Sequence, residues 1–255
     1  MEPPSAQGFI HKSRQLEIPE CHRRKPTGRT MKKISVLIVE DHTLVREGLR
    51  MILGLESDII VTGEAKNGRE AMALAVNLCP DIILMDIAMP GLNGLEAARQ
   101  LARIQPTSKI IILSAHCDDA YVQSAVASGA SGFLLKQDST KDVCQAIREV
   151  HRGGIHYSSP IAKRFIRLNP KESDRTGKTS RKPSLLTSRE MEVLQLIAEG
   201  KANKETAAAL GISVKTVEKH RGQLMAKLDI HDTAGLTRHA ISTGIIESSV
   251  QITIL

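Results

Sequence analysis

Five short apolar runs punctuate the first two thirds of the chain: Ile34–Val39, Ile59–Thr62, Ile82–Met85, Ile110–Leu113 and Gly132–Leu135. They are β-branched or Leu-rich and lack polar alternation, the pattern of strands buried on both faces of a parallel sheet. Amphipathic segments follow each run: Thr43–Leu55, Arg69–Leu78, Gly94–Ile104, Ala120–Ser128 and Thr140–Arg152. In the first of them the helical repeat shows in Leu44, Gly48, Met51, Ile52 and Leu55. Five strand–helix units predict an α/β domain over 32–153, a five-stranded, doubly wound parallel sheet covered on both faces by right-handed crossovers.

After residue 153 the period changes. Pro160–Leu168 fits a short helix, and residues 169–184 contain no large hydrophobe, so 154–184 reads as a short helix followed by a flexible linker. Residues 185–246 carry helical patterns alone. Thr187 with Glu190 forms a capping box ahead of the stripe Met191, Val193, Leu194, Ile197 and Ala198, and Gly200 ends that helix. A second helix spans Asn203–Leu210 and stops at Gly211. Ser213 caps a third that runs to about Leu228. Two helices joined by a tight Gly-containing turn describe a helix-turn-helix. In the third helix Val214, Val217, Leu224 and Leu228 share the core stripe, while Lys215, Glu218, Lys219, Gly222 and Gln223 fall away from it.

Composition narrows the possible functions. The 255 residues suit two domains, and 41% hydrophobic with 25% charged residues is ordinary for a globular protein. No apolar run approaches the roughly 18 residues of a membrane-spanning helix, so no membrane partner is expected. Aromatics are 2%, with no Trp, which argues against base stacking on aromatic platforms. Cys21, Cys79, Cys117 and Cys144 lie far apart, so neither a disulfide framework nor a zinc site is expected, and reduced thiols in the cytoplasm are. The net charge of +7 divides into +5 over residues 1–33, −1 over 34–167 and +3 over 168–255. Residues 1–31 read as a disordered basic arm, either dispensable or assisting nucleic-acid binding. The tail 247–255 matches no pattern.

The strand ends carry the chemistry. Ligands of open parallel sheets bind beyond the carboxyl ends of the strands. Here those ends bring Glu40 and Asp41, Asp86, Ser114 and Lys136 to one edge. Crowded carboxylates repel unless a cation intervenes, and oxygen ligands suit Mg²⁺. A carboxylate can also accept a phosphoryl group as an acyl phosphate, with Lys136 facing the transferred oxygens and Ser114 donating a hydrogen bond.

These residues also carry a resemblance. Val39-Glu40-Asp41-His42, Leu84 to Gly94, Ile112-Leu113-Ser114-Ala115 and Gly132-Phe133-Leu134-Leu135-Lys136 resemble the signature set of a response-regulator receiver domain, a flavodoxin-like fold. The resemblance implies that Asp86 accepts phosphate from a histidine kinase. It further implies that Glu40, Asp41, Asp86 and the Ala88 backbone carbonyl hold Mg²⁺, that Ser114 and Lys136 contact the phosphoryl group, and that Ser114 and Phe133 act as the switch pair. Phe133 stands where the family often has Tyr, and Glu40 where it commonly has Asp. A competing reading is a hydrolase passing through an aspartyl phosphate. Such an enzyme usually needs a second Asp two residues after the nucleophile, where Ala88 stands and cannot transfer a proton, so no enzyme is expected.

Residues 185–246 resemble the LuxR-type helix-turn-helix domain through Leu186-Thr187-x-x-Glu190 and Thr216-Val217-x-x-His220, and 32–246 as a whole resembles a NarL/FixJ-type response regulator. The expected DNA contacts on double-stranded DNA are Lys215, Thr216, Glu218, Lys219, His220, Arg221 and Lys227. Lys219 and Glu218 would face base edges, and Lys204, His220, Arg221 and Lys227 would face phosphates. The last helix, around Ala234–Ile245, either packs in the core or offers Leu236, Ala240 and Ile241 to a homodimer. A regulator whose helical domain binds a partner protein is the alternative to one that binds DNA. In the resting state the receiver is expected to hold or mask the DNA-binding domain.

Overall fold

The computed structural model describes residues 32–115, 119–168 and 186–246. The expected N-terminal arm, the linker 169–184 and the tail 247–255 lie outside the described residues. Along the chain run β1 (Ile34–Val39), α1 (Thr43–Gly54), β2 (Ile59–Ala65), α2 (Gly68–Leu78), β3 (Ile82–Asp86), α3 (Gly94–Ile104), β4 (Lys109–Ser114) and α4 (Asp119–Ser128). They are followed by β5 (Gly132–Leu135), α5 (Thr140–His151), β6 (His156–Tyr157), α6 (Ser159–Leu168), α7 (Ser188–Ala198), α8 (Asn203–Leu210), α9 (Val214–Leu228) and α10 (Thr233–Ser242). The residues from Met31 onward form one compact unit.

The sheet order is β2-β1-β3-β4-β5-β6, parallel throughout. It contains the five expected strands and a sixth, two-residue strand at the β5 edge, too short to show as an apolar run. Every residue of β3 and β5 is buried, and side-chain alternation sends β1 residues to two separate cores. Leu37 and Val39 pack with α2, α3, α4 and α6 residues, including Ala71, Leu101, Val122 and Ile161. Val36 and Ile38 pack on the other face with Leu53 of α1 and Ile147 and Val150 of α5. β2 departs from expectation: its burial alternates and Ile60 is 46% exposed, because it is an edge strand covered less completely.

α1 forms where the repeat placed it, but with another face inward. Leu44, Met51 and Leu55 are 84%, 69% and 86% exposed, whereas Arg46 and Leu53 are buried and Leu49 and Ile52 pack at the core margin. Spacing reveals a helix here without revealing which stripe meets the sheet. The cysteine expectation also needs correction. Cys79, at the left-handed C-cap of α2, is disulfide-bonded, and Cys144 is a buried free thiol, while Cys21 and Cys117 lie outside the described residues. Separation along the chain gave no hint of proximity in space.

In the helical part, Val193, Leu194 and Ile197 of α7 pack with Ala207, Leu210, Val217, Leu224, Leu236 and Ala240. The capping box of Thr187 and Glu190 is present, and Gly211 takes φ +63° in the turn between α8 and α9, a conformation that favours glycine. Leu236 and Ala240 are wholly buried, so they belong to this core and not to a dimer surface. Val214, expected inside, is 39% exposed because it sits in the first turn of α9, before the helix reaches its neighbours.

Candidate functional site

Parallel order puts the carboxyl ends of β1, β3, β4 and β5 on one rim. β1 is flanked by β2 on one side and β3 on the other, so the strand order reverses there and opens a crevice. Ligand atoms of Glu40, Asp41, His42 and Asp86 lie within 4.8 Å of one another. Lys136, just past β5, places its ammonium 3.0 Å from Glu40 Oε2 and 3.0 Å from Asp86 Oδ2. Ser114 is buried at the end of β4, where its carbonyl accepts from the Lys136 amide at 2.8 Å. Phe133 is already buried in the core beneath, so a switch movement there starts from an inward position.

The loop after β3 returns tightly. Gly94 N–H donates to the Ile87 carbonyl at 2.9 Å, and a Cβ on Gly94 would fall 1.8 Å from the Asp86 carbonyl oxygen, so only glycine lets α3 start there. The Asp86 residue at the head of this loop is 1% exposed. Burial, then the charge of Glu40, pushes the Asp86 pKa up to about 7, against the pull of Lys136. Burial disfavours the Lys136 ammonium, but Asp86 and Glu40 outweigh it and its pKa is raised.

One ammonium facing three carboxylates leaves this rim short of positive charge. Glu40 Oε2, Asp41 Oδ1 and both Asp86 carboxylate oxygens are buried; Lys136 or His42 is the ion-pair neighbour of three of them, and Asp86 Oδ1 is left without a hydrogen-bond partner. Such oxygens fit a hard divalent cation, which takes oxygen ligands and would occupy these unused lone pairs. Two neighbours escaped the sequence reading. His42 Nδ1 lies 3.1 Å from Glu40 Oε1 and 2.9 Å from Asp41 Oδ1, and the charge of Asp41 raises its pKa. Arg46, buried in α1, donates to the Glu40 carbonyl at 2.8 Å and fixes the strand end that presents both acids.

A second polar cluster joins the two parts of the compact unit. Gln195 of α7 is 1% exposed; its Oε1 accepts from Asn93 N–H at 2.8 Å and its Nε2 donates to the Met89 carbonyl at 2.9 Å. Glu199 Oε1 accepts from Gly91 N–H at 2.9 Å and from Gln195 Nε2 at 2.7 Å. Glu192 accepts from Gln100 at 3.1 Å and from Arg69 at 3.3 Å. The available signal was polar residues at 192, 195 and 199, one face of a helix otherwise apolar.

The outward face of α9 is open. Lys215, Glu218, Lys219, Gly222 and Gln223 are exposed, and Thr216 and His220 are half-buried. Two expected phosphate contacts have partners inside the protein. Arg221 donates to Asn203 Oδ1 at 3.2 Å and to Thr233 Oγ1 at 2.8 Å, and the Lys227 ammonium lies 2.7 Å from Glu190, a carboxylate 3% exposed.

Residues 36–148 match the family described as response regulator receiver domain, and residues 184–240 match the bacterial regulatory proteins of the luxR family. The chain is 40% identical over 200 residues to the transcriptional regulatory protein LiaR of Bacillus subtilis, covering 78% of this chain and 92% of LiaR. It is 36% identical over 223 residues to the transcriptional regulatory protein DegU of Brevibacillus brevis, covering 83% of this chain and 94% of DegU. A crystal structure of a LuxR-family two-component response regulator from Aurantimonas superposes with a TM-score of 0.52 at 30% identity, covering 55% of this chain and 100% of that one.

The raised pKa of Asp86 has a consequence for stability. Between its ordinary value of 3.8 and about 7 the folded protein holds a proton that the unfolded chain has lost, so this contribution to stability is complete at low pH and disappears as pH rises through 7. In EDTA at pH 8, Asp86→Asn should therefore melt above wild type, by about 1–4 kcal/mol in stability, with the difference shrinking towards pH 4. Thermal unfolding across that pH range checks it. A wild type as stable as the variant at pH 8 would contradict the assignment of an unrelieved charge.

Proposed function

This chain belongs to the LuxR family of two-component response regulators, with a receiver domain and a LuxR-type DNA-binding domain, and from that premise we propose that Asp86 is the phosphoacceptor through which it regulates transcription. The observation that carries this reading is the buried Asp86 carboxylate, with Oδ2 paired to the Lys136 ammonium at 3.0 Å and Oδ1 without a hydrogen-bond partner.

The domain limits proposed are 32–153 for the receiver, 154–184 for the short helix and linker, and 185–246 for the DNA-binding domain. Asp86 attacks the phosphorus of a phosphohistidine on a cognate histidine kinase; the P–N bond breaks and the imidazole leaves with its electron pair and takes up a proton. Lys136 faces the phosphoryl oxygens, and Ser114, at the end of β4, donates its hydroxyl to one of them. Mg²⁺, held by Glu40, Asp41, Asp86 and the Ala88 carbonyl, would neutralise the charge that this transfer concentrates. Ala88 supplies no side-chain acid or base two residues after Asp86, so the acyl phosphate is kept for a time and the chain does not turn over substrate.

The DNA contacts proposed are the open residues of α9, Lys215, Glu218 and Lys219, with Thr216 and His220 at its margin. With Leu236 and Ala240 inside the core, we assign pairing of two copies to the exposed apolar residues of α1, Leu44, Met51 and Leu55. Its place of action on this reading is the cytoplasm, where kinase and DNA meet.

Incubation of the full chain with Mg²⁺ and a small acyl phosphate should add one phosphoryl group by intact mass, Asp86→Asn none, and Lys136→Ala at least about tenfold less. Labelling of the Asn variant would remove Asp86 as acceptor. On duplex DNA, Lys219→Ala should weaken binding by about 1–3 kcal/mol. Lys227→Ala should instead lower stability by about 0.2–1 kcal/mol, by removing a partly exposed ion pair to Glu190, and leave the salt dependence of binding unchanged. Anisotropy titrations over a salt series, with urea unfolding beside them, separate the two. Equal loss of DNA affinity and salt slope in both variants would return Lys227 to the DNA surface.

A further inference from the structure

α1 begins beside the acidic rim, and the residue that opens it is turned toward the acids. His42 is the N-cap of α1, a position whose side chain commonly accepts from the first turn of its own helix, yet it makes no such bond. Its backbone N–H donates instead to Glu40 Oε1 at 3.1 Å, and its ring follows, with Nδ1 3.1 Å from the same oxygen and 2.9 Å from Asp41 Oδ1. Arg46 pins the two preceding residues by holding the carbonyl of Glu40 at 2.8 Å and that of Asp41 at 3.4 Å. Backbone geometry thus delivers an imidazole to the rim.

The spacings match a coordination shell. Neighbouring ligands of an octahedral ion at about 2.1 Å stand about 3.0 Å apart, and opposite ones about 4.2 Å. Nδ1 stands at the first distance from two carboxylate oxygens, and no pair of ligand atoms among Glu40, Asp41, His42 and Asp86 is further apart than 4.8 Å. The Lys136 ammonium takes the Glu40 oxygens and Asp86 Oδ2. Asp86 Oδ1, on a residue 1% exposed, has no hydrogen-bond partner and is a ligand in want of an ion. The His42 side chain is 65% exposed, so the ring can offer its Nδ1 lone pair while Nε2 keeps the ring proton.

The donor set decides which ion gains. Mg²⁺ prefers oxygen and gives up water reluctantly, whereas imidazole suits first-row transition ions, whose affinity for such a site rises from Mn²⁺ to Co²⁺ and beyond. We infer that His42 is a specificity-determining ligand of the rim, its Nδ1 joining Glu40, Asp41 and Asp86 around a divalent cation and favouring transition ions such as Mn²⁺ and Co²⁺ over Mg²⁺. This rests on the reading of the rim as a cation site.

The test titrates Mg²⁺ and Co²⁺ separately into the full chain at pH 8 by calorimetry, with His42→Ala and His42→Asn beside wild type. Asn suits an N-cap, so the second variant keeps the start of α1 while removing the imidazole. Co²⁺ affinity should fall at least about tenfold in both variants, while Mg²⁺ affinity changes by less than about twofold or rises. The visible absorption of bound Co²⁺ should move to longer wavelength in both, as oxygen replaces a stronger-field nitrogen. A merely structural role would weaken the two ions alike and leave the spectrum in place. Equal losses for both ions, or an unchanged Co²⁺ affinity and spectrum, overturns the inference. Failure of wild type to bind either ion would instead overturn the cation site itself, and the inference with it, so the two failures are distinguishable.

Discussion

Three carboxylates and one ammonium share one rim, Glu40 and Asp86 buried and Asp41 partly exposed, and this imbalance of charge governs the site. Glu40 and Asp86 are buried, and Lys136 can neutralise one of them at a time. A parallel sheet leaves no other arrangement, because every strand delivers its carboxyl end to the same edge. Arg46 adds to the constraint by donating to the backbone carbonyl of Glu40, which fixes the end of β1. The rim carries more negative than positive charge, an excess that a divalent cation would offset.

The same geometry links the acidic rim to the helical part over a short path. The loop leaving Asp86 must turn back at once, since Gly94 packs against the Asp86 carbonyl, and its outer backbone is therefore presented to α7. A helix whose inner stripe belongs to its own core uses its polar face, Glu192, Gln195 and Glu199, to reach across. Hydrogen bonds to backbone atoms suit this role, because they register small displacements of the loop without depending on its side chains.

Much of this was legible in the residue pattern. The buried strands were readable because parallel central strands are apolar on both faces, and the acidic cluster because residue types at strand ends converge wherever the packing details fall. The capping box of Thr187 and Glu190 is local chemistry and shows locally. What escaped depends on neighbours distant in sequence. The stripe Leu44, Met51, Leu55 announced a helix but not the face that meets the sheet, and β2 looked like a central strand until its edge position exposed Ile60. That Arg221 also bonds Asn203 and Thr233, and Lys227 Glu190, shows only in the folded chain. The bridge at Cys79 and the reach of Gln195 to Met89 likewise belong to tertiary structure alone.

The central claim is that the carboxylate rim is completed by one divalent cation. Calorimetric titration of Mg²⁺ into the full chain tests it most directly, with Asp41→Asn and Asp86→Asn titrated beside it. The account predicts a single saturable event of one ion per chain in wild type and affinity at least about tenfold weaker in each variant. Heat that never saturates, or equal affinity in all three proteins, would contradict it.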